Sequence, residues 1–164
     1  MGIETASTTR PKLPPAWFTH LFWRGHRWAH RFLGDRALWT PASRKGWGTM
    51  CLTATGRRSG ESRTVIVGYV EDGPTPVVLA MNGWDEGHPA WWLNLEFDRN
   101  AVIRLKGEPK RPVRARLVEG EERERLWARW AAVDEDLDGY ASLRSVETPV
   151  VVFEPRATDW RPPA

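Results

Sequence analysis

A single cysteine, Cys51, stands in the whole chain, and its solitude excludes any intramolecular disulfide. The fold must be held by packing, and a reducing, cytoplasmic setting is expected. Long apolar runs are equally scarce: none approaches the roughly 20 residues that a membrane-spanning helix requires. The opening residues, MGIETA, lack a basic stretch, an apolar stretch and the Ser or Thr of an acylation signal, so neither export nor lipidation is expected. Charge of one sign is also modest, with 24 Lys and Arg against 21 Asp and Glu, a net +3. That excess suits an anionic ligand but does not point to nucleic acid, for which no recognisable module is present. No repeat recurs along the 164 residues, and the length suits one domain. Tyrosine is rare, 2 residues against 11 tryptophans. Such a weighting toward indole implies either wide aromatic packing or a pocket for flat ligands.

Residues 1–15, with several prolines and no periodicity, read as a mobile arm. Over 16–34 apolar residues such as Trp17, Leu21, Trp28 and Phe32 recur at helical spacing, with Arg24, Arg27 and Arg31 on another face. The pattern predicts an amphipathic helix ended by Gly34, although Gly25 in its interior costs about 1 kcal/mol relative to Ala. Gly48–Thr55 and Ser62–Glu71, rich in Thr, Val and Ile, flank a tight Gly56-Arg57-Arg58-Ser59-Gly60 loop and predict a hairpin. Pro76–Met81 follows as a strand, then a loop carrying Asn82, Gly83, Trp84 and Gly87. A short helix is expected with Pro89 at its first position and an apolar side of Trp91, Trp92 and Leu95. Ala101–Lys106 and Arg111–Glu119 alternate apolar with basic residues, as half-exposed antiparallel strands do. Glu121–Val133 is helical, with Leu126, Trp130 and Val133 as its buried stripe and a favourable Glu121–Arg125 pair. An acidic loop, DEDLDGY, precedes a short helical stretch, a last strand at Val150–Phe153 and a tail over 156–164. Six strands with peripheral helices and short turns predict an α+β fold built on a small antiparallel barrel over 47–155.

Candidate chemistry is sparse. The Gly56–Gly60 loop offers backbone N–H groups, two guanidinium groups and a hydroxyl; by itself it is either an ordinary basic turn or an anion cradle. Asp134, Asp136, Asp138 and Gly139 copy the opening of a calcium loop, yet Ser145 falls where the closing bidentate Glu belongs. His26 and His30 have the spacing of zinc ligands on a helix, but Arg27 stands where the general-base Glu is needed. No metal is therefore expected. No serine sits in a G-x-S-x-G elbow, so hydrolytic chemistry has no support.

Four segments in order, LTATGRRSGESR, AMNGWDEGHPAWWLNLE, VRARLVEGEERERLW and TPVVVFEP, resemble the deazaflavin-dependent nitroreductase family from about Cys51 to Pro155. The resemblance implies a six-stranded antiparallel split β-barrel, often dimeric, that binds reduced coenzyme F-420. It assigns the cofactor's phosphate and acidic tail to Arg57, Arg58, Ser59 and Arg63. The deazaflavin would lie along Thr64, Val65 and Val67 and under Met81, Asn82 and Gly83, with Trp91 and Asn94 nearby. Two departures concern the acceptor. Met81-Asn82-Gly83-Trp84 replaces a Ser-Lys-Gly-Gly-like loop, exchanging a cation for Asn82 and adding the indole of Trp84. Gly68 and Leu137 occupy two places where the namesake enzyme carries pocket tyrosines, leaving Tyr140 as the remaining phenol and a candidate proton donor. Trp84, Gly68, Leu137 and Tyr140 thus make the candidate substrate pocket. The implied activity is hydride transfer from the reduced deazaflavin to an electron-poor, conjugated or quinone-like small molecule. Alternatives are the same barrel using FMN, or a non-catalytic cofactor or lipid carrier whose basic helix over 16–34 meets an anionic membrane surface.

Overall fold

The computed structural model describes residues 38–43, 45–82 and 86–156. The arm over 1–15, the helix expected over 16–34, Gly83, Trp84 and the tail over 157–164 lie outside these residues.

Six strands, β1 (Gly48–Thr55), β2 (Ser62–Asp72), β3 (Thr75–Leu79), β4 (Asn100–Arg104), β5 (Arg111–Val118) and β6 (Val150–Pro155), close into one barrel in the order β1-β2-β3-β6-β5-β4. Every neighbouring pair is antiparallel. The closure follows from period-two alternation, which sends successive side chains to opposite faces. Met50, Leu52 and Ala54 of β1 point inward with Val67 and Tyr69 of β2, Ala101 and Ile103 of β4, and Val151 and Phe153 of β6. Helix α1 (Ala90–Phe97) adds Trp92 and Leu95 to the same core.

The opposite faces of β2, β3 and β6 are apolar as well, and they need a cover. Helix α2 (Gly120–Ala131) supplies it: Leu126, Trp127 and Trp130 pack with Trp47 and Val133 over Val70, Val77 and Val152. Burying a side chain such as Leu126 contributes about 1.5–3 kcal/mol. A smaller cluster joins Leu38 to the outward Cys51 and Ile66, so the lone thiol is a buried packing group.

Three local expectations change. Pro89 is the N-cap of α1 rather than its first helical residue: its backbone is extended (φ −64°, ψ 147°), and its carbonyl accepts from the amides of Trp92 and Leu93. Helix α3 (Leu137–Ser142) begins inside the stretch read as an acidic loop, anchored by the buried Leu137. The Glu121–Arg125 pair does not form. Arg125 instead grips Asp72 with two hydrogen bonds of 2.8 Å, and Arg116 on β5 takes Glu122 at 2.8 and 3.0 Å. Bidentate geometry on a neighbouring strand outcompetes a single exposed pair along the helix.

Connectivity decides where the loops gather. The β1–β2 turn, the exit of β3 toward α1, the start of β4 and the start of β6 share one end of the barrel, because Ala54 pairs with Ala101, Thr55 with Ser62 and Leu79 with Val150. The β2–β3 and β4–β5 turns occupy the other end. There Tyr69 is buried, and burial pushes its phenol up to about 12.

Gly48 is held by close approach. A Cβ there would stand 2.8 Å from Pro41 Cδ, Trp39 O and Tyr69 Cε1. Gly48→Ala is expected to cost about 1–3 kcal/mol by overpacking, read as a lower urea midpoint. The pair across β2 and α2 makes a separate expectation. The Arg125 hydrogen bonds hold the Asp72 carboxyl below the usual carboxylate range, so its stabilisation is present above about pH 4 and is lost as pH falls further. Asp72→Asn should lower stability at pH 7 by about 0.5 kcal/mol, given the pair's partial exposure, and by less at pH 3. Thermal melts at the two pH values check this.

Candidate functional site

The β1–β2 turn is a closed arginine-bearing loop. Gly60 takes a left-handed conformation (φ +72°) that favours glycine, and its amide donates to Gly56 O at 2.8 Å while the Gly56 amide donates to Glu61 O at 2.8 Å. Gly56 has no room for a side chain without displacement: a Cβ would lie 3.1 Å from Ser59 Oγ and 3.2 Å from Arg63 Cγ and Glu61 O. The loop's own bonds leave the amides of Arg58 and Ser59 without a backbone partner among the described residues.

Its three arginines are not equivalent. Arg57 is half-buried and turned toward α1, where its amide and its Nη1 both donate to Asn94 Oδ1 at 3.2 Å. Arg63 is exposed and engaged by Glu61 at 2.6 Å, with Ser59 Oγ at 3.3 Å. Arg58 is exposed, and no carboxylate pairs with it among the described residues. Glu61, which composition counts merely as one more surface acid, therefore stands inside the basic loop.

Beside this loop the outward face of the hairpin carries hydroxyls. Thr53 and Thr64 are register partners and share a hydrogen bond of 2.8 Å between their Oγ1 atoms. Thr55 Oγ1 is buried with no hydrogen-bond partner among the described residues. Alternation separates the strand residues named by the family resemblance: Thr64 faces outward, whereas Val65 and Val67 belong to the barrel core. Any ligand on this face meets Thr64 and the backbone, not the two valine side chains.

At the exit of β3, Met81 is half-buried and Asn82 exposed. Trp91 packs on the core edge-on to Trp92, with centroids 6.3 Å apart and planes at 75°. The Arg99 guanidinium lies 4.9 Å over the Trp92 ring. The loop leading into α1 is fastened from the far side of the chain. Arg144, 7% exposed, donates to Gly87 O and to Thr148 Oγ1, both at 2.6 Å. Burial pushes its guanidinium down from the ordinary arginine value, with the charge of Glu86 opposing that shift. Glu86 accepts from the Ser145 hydroxyl at 2.7 Å and from its amide, and these bonds hold the carboxyl below its usual range. No sequence signal marked Arg144 or Glu86: each is a lone charge that bonds across almost 60 residues, Arg144 to Gly87 and Glu86 to Ser145.

The residues expected at the acceptor pocket come from different elements. Gly68 lies six positions along β2 from Ser62, about 20 Å at strand spacing, beneath the rings of Trp47 and Trp130. Leu137 is 2% exposed, a core residue that anchors α3. Tyr140 is half-buried on α3, its amide donating to Asp136 O at 3.0 Å. No group of His, Cys, Asp or Glu placed to hold a metal ion is present among the described residues. Nor is any of their helices long and apolar enough to cross a membrane.

Known proteins of similar sequence and structure bear on this site. The family model described as F-420H(2)-dependent quinone reductase matches residues 38–155. A curated Mycobacterium tuberculosis protein named for F-420H(2)-dependent quinone reduction is 31% identical over 113 residues, covering 69% of this chain and 94% of its own. The solved structure of an F-420-H2-dependent reductase superposes with a TM-score of 0.59 at 28% identity, over 65% of this chain and 93% of that one. A second solved structure, described as a domain-swapped dimer, has a TM-score of 0.62 at 24% identity, over 85% of this chain and 100% of that one, and shares the fold. With its barrel spanned by the family model and more than two thirds of its length matched by the mycobacterial relative, this chain belongs to the F-420H(2)-dependent quinone reductase family, oxidoreductases whose cofactor is coenzyme F-420.

Proposed function

We propose that the chain binds reduced F-420 at the β1–β2 end of the barrel and positions a quinone-like small molecule to receive a hydride from it. The observation that carries this reading is the arginine loop itself: Arg58 open to an anion, Arg57 fixed by Asn94, and hydroxyls alongside. These residues fit a ligand with a phosphate and an acidic tail. The Arg58 guanidinium and the loop amides that have no partner among the described residues suit phosphate oxygens, and a side chain at Gly56 would crowd the loop.

When bound, the reduced deazaflavin supplies two electrons and one proton as a hydride, which reduces the acceptor. The protein's tasks are to hold the two reactants in register and to exclude side reactions. Arg57, Arg58, Ser59 and Arg63 bind the anionic end, and Thr64, Met81, Asn82, Gly83 and Trp91 border the ring. The second proton, which completes a hydroquinone, comes from Tyr140 or from water. Trp84, which replaces a smaller residue of related loops, belongs to the acceptor side.

Titration with F-420 and separately with FMN, read by tryptophan fluorescence, tests the cofactor. Binding of F-420 is expected; binding of FMN alone would overturn the reading. Replacing Arg57 and Arg58 together by Ala should weaken F-420 binding by about 2–4 kcal/mol and reduce its salt dependence, with little loss of stability. Unchanged affinity would remove the loop from the site. Glu61 gives an opposite expectation. Its exposed bond to Arg63 must be exchanged for bonds to the ligand, so Glu61→Gln should tighten F-420 binding about threefold at low salt. Weaker binding in that variant would mean that Glu61 shapes the loop rather than competing within it.

A further inference from the structure

Asn94 is in the wrong place for an ordinary asparagine. It lies inside α1, where Asn costs about 0.7 kcal/mol relative to Ala, and it is 7% exposed. A buried amide left unpaired costs a further 1–3 kcal/mol or so. Its neighbours Trp92 and Leu95 fill the barrel core, so the helix cannot rotate to release it. The position needs a polar partner, and Arg57 is that partner.

Both the Arg57 amide and its Nη1 donate to the one oxygen, Asn94 Oδ1, at 3.2 Å. A carbonyl oxygen has two lone pairs and accepts both. The orientation of the amide is settled by these partners, because the nitrogen end would face two donors. Two consequences follow for Arg57. Its amide is turned inward and is withdrawn from any anion in the loop. Its guanidinium, otherwise a flexible group with about 2 kcal/mol of rotamer entropy, is held by one nitrogen while its other N–H donors are left for a ligand. Because Asn94 is neutral, it fixes the cation without cancelling its charge.

We infer that Asn94 is a positioning residue: it acts on the anionic end of the cofactor through Arg57, by ordering that guanidinium before the ligand arrives, and does not touch the cofactor itself. The inference rests on the proposed cofactor site and assigns a role within it. A preordered arginine leaves less freedom to be lost on binding, which is why the effect belongs to affinity.

A double-mutant cycle read by F-420 binding, with tryptophan fluorescence as the signal and thermal melts as the check on folding, tests it. Arg57→Ala should weaken binding about tenfold, the scale of one charge-assisted contact, and Asn94→Ala about fivefold in the native background. In the Arg57→Ala background the Asn94 change should have no further effect on affinity or on its salt dependence. A second fivefold loss there would mean that Asn94 acts other than through the Arg57 guanidinium, on the cofactor or through the loop backbone that the residue-57 amide still ties to it, and would overturn the inference, as would native affinity in Asn94→Ala alone. If Asn94→Ala does not fold, Asn94→Ser serves in the same cycle with the same outcomes. Native affinity in Arg57→Ala would remove Arg57 from the site, and the inference with it, whereas additive losses would leave the cofactor site standing.

Discussion

Closure of the sheet is the constraint on which the rest depends. Opened between β3 and β6, the six-stranded antiparallel sheet would expose the backbone edges of those two strands; pairing β3 with β6 removes both. Closure also turns one half of the alternation into a sealed interior, which Trp92 and Leu95 complete at one end. A helix that plugs a barrel cannot slide or turn without opening a cavity, so every residue of α1 inherits a fixed address. Asn94 and Trp91 owe their positions to that plug.

The same closure gathers the residues of the proposed cofactor site at one end. Strand direction brings the arginine loop, the exit of β3, α1 and the Arg144–Thr148 segment together, while the other end holds tight turns and the buried Tyr69. Arg144 and Glu86 tie that assembly together across the chain, one buried and one exposed. The outer faces serve a different purpose. Covered by α2 over β2, β3 and β6, they supply a second core and leave the hydroxyl-bearing part of the β1–β2 hairpin accessible.

Electrostatics at the loop illustrates how little a count of charges says. Three arginines within seven residues read as one basic patch, yet one is held by a buried amide, one by an exposed carboxylate and one by no carboxylate among the described residues. What distinguishes them is the company each keeps after folding. Only the differences among them give the loop a direction, with a fixed donor on the helix side and, at Arg58, an exposed one that no described carboxylate holds.

Much of this was legible in the residues themselves. Alternation of Thr, Val and Ile with smaller residues set β1 to the residue and most of the other strands to within one or two, because a half-buried strand must repeat every second position. Glycines at 56 and 60 marked the loop, and four ordered motifs marked the family. The tertiary structure decided what local pattern cannot encode. Arg125 abandoned Glu121 for Asp72, Leu137 turned an acidic stretch into a helix, and Val65 and Val67 went to the core while Thr64 stayed outside. It also separated Gly68 from the arginine loop and gave Asn94 to Arg57. Sequence fixes which side chains want water and at what period; which of them meet is settled by packing between elements far apart in the chain, and that depends on the closed barrel as a whole.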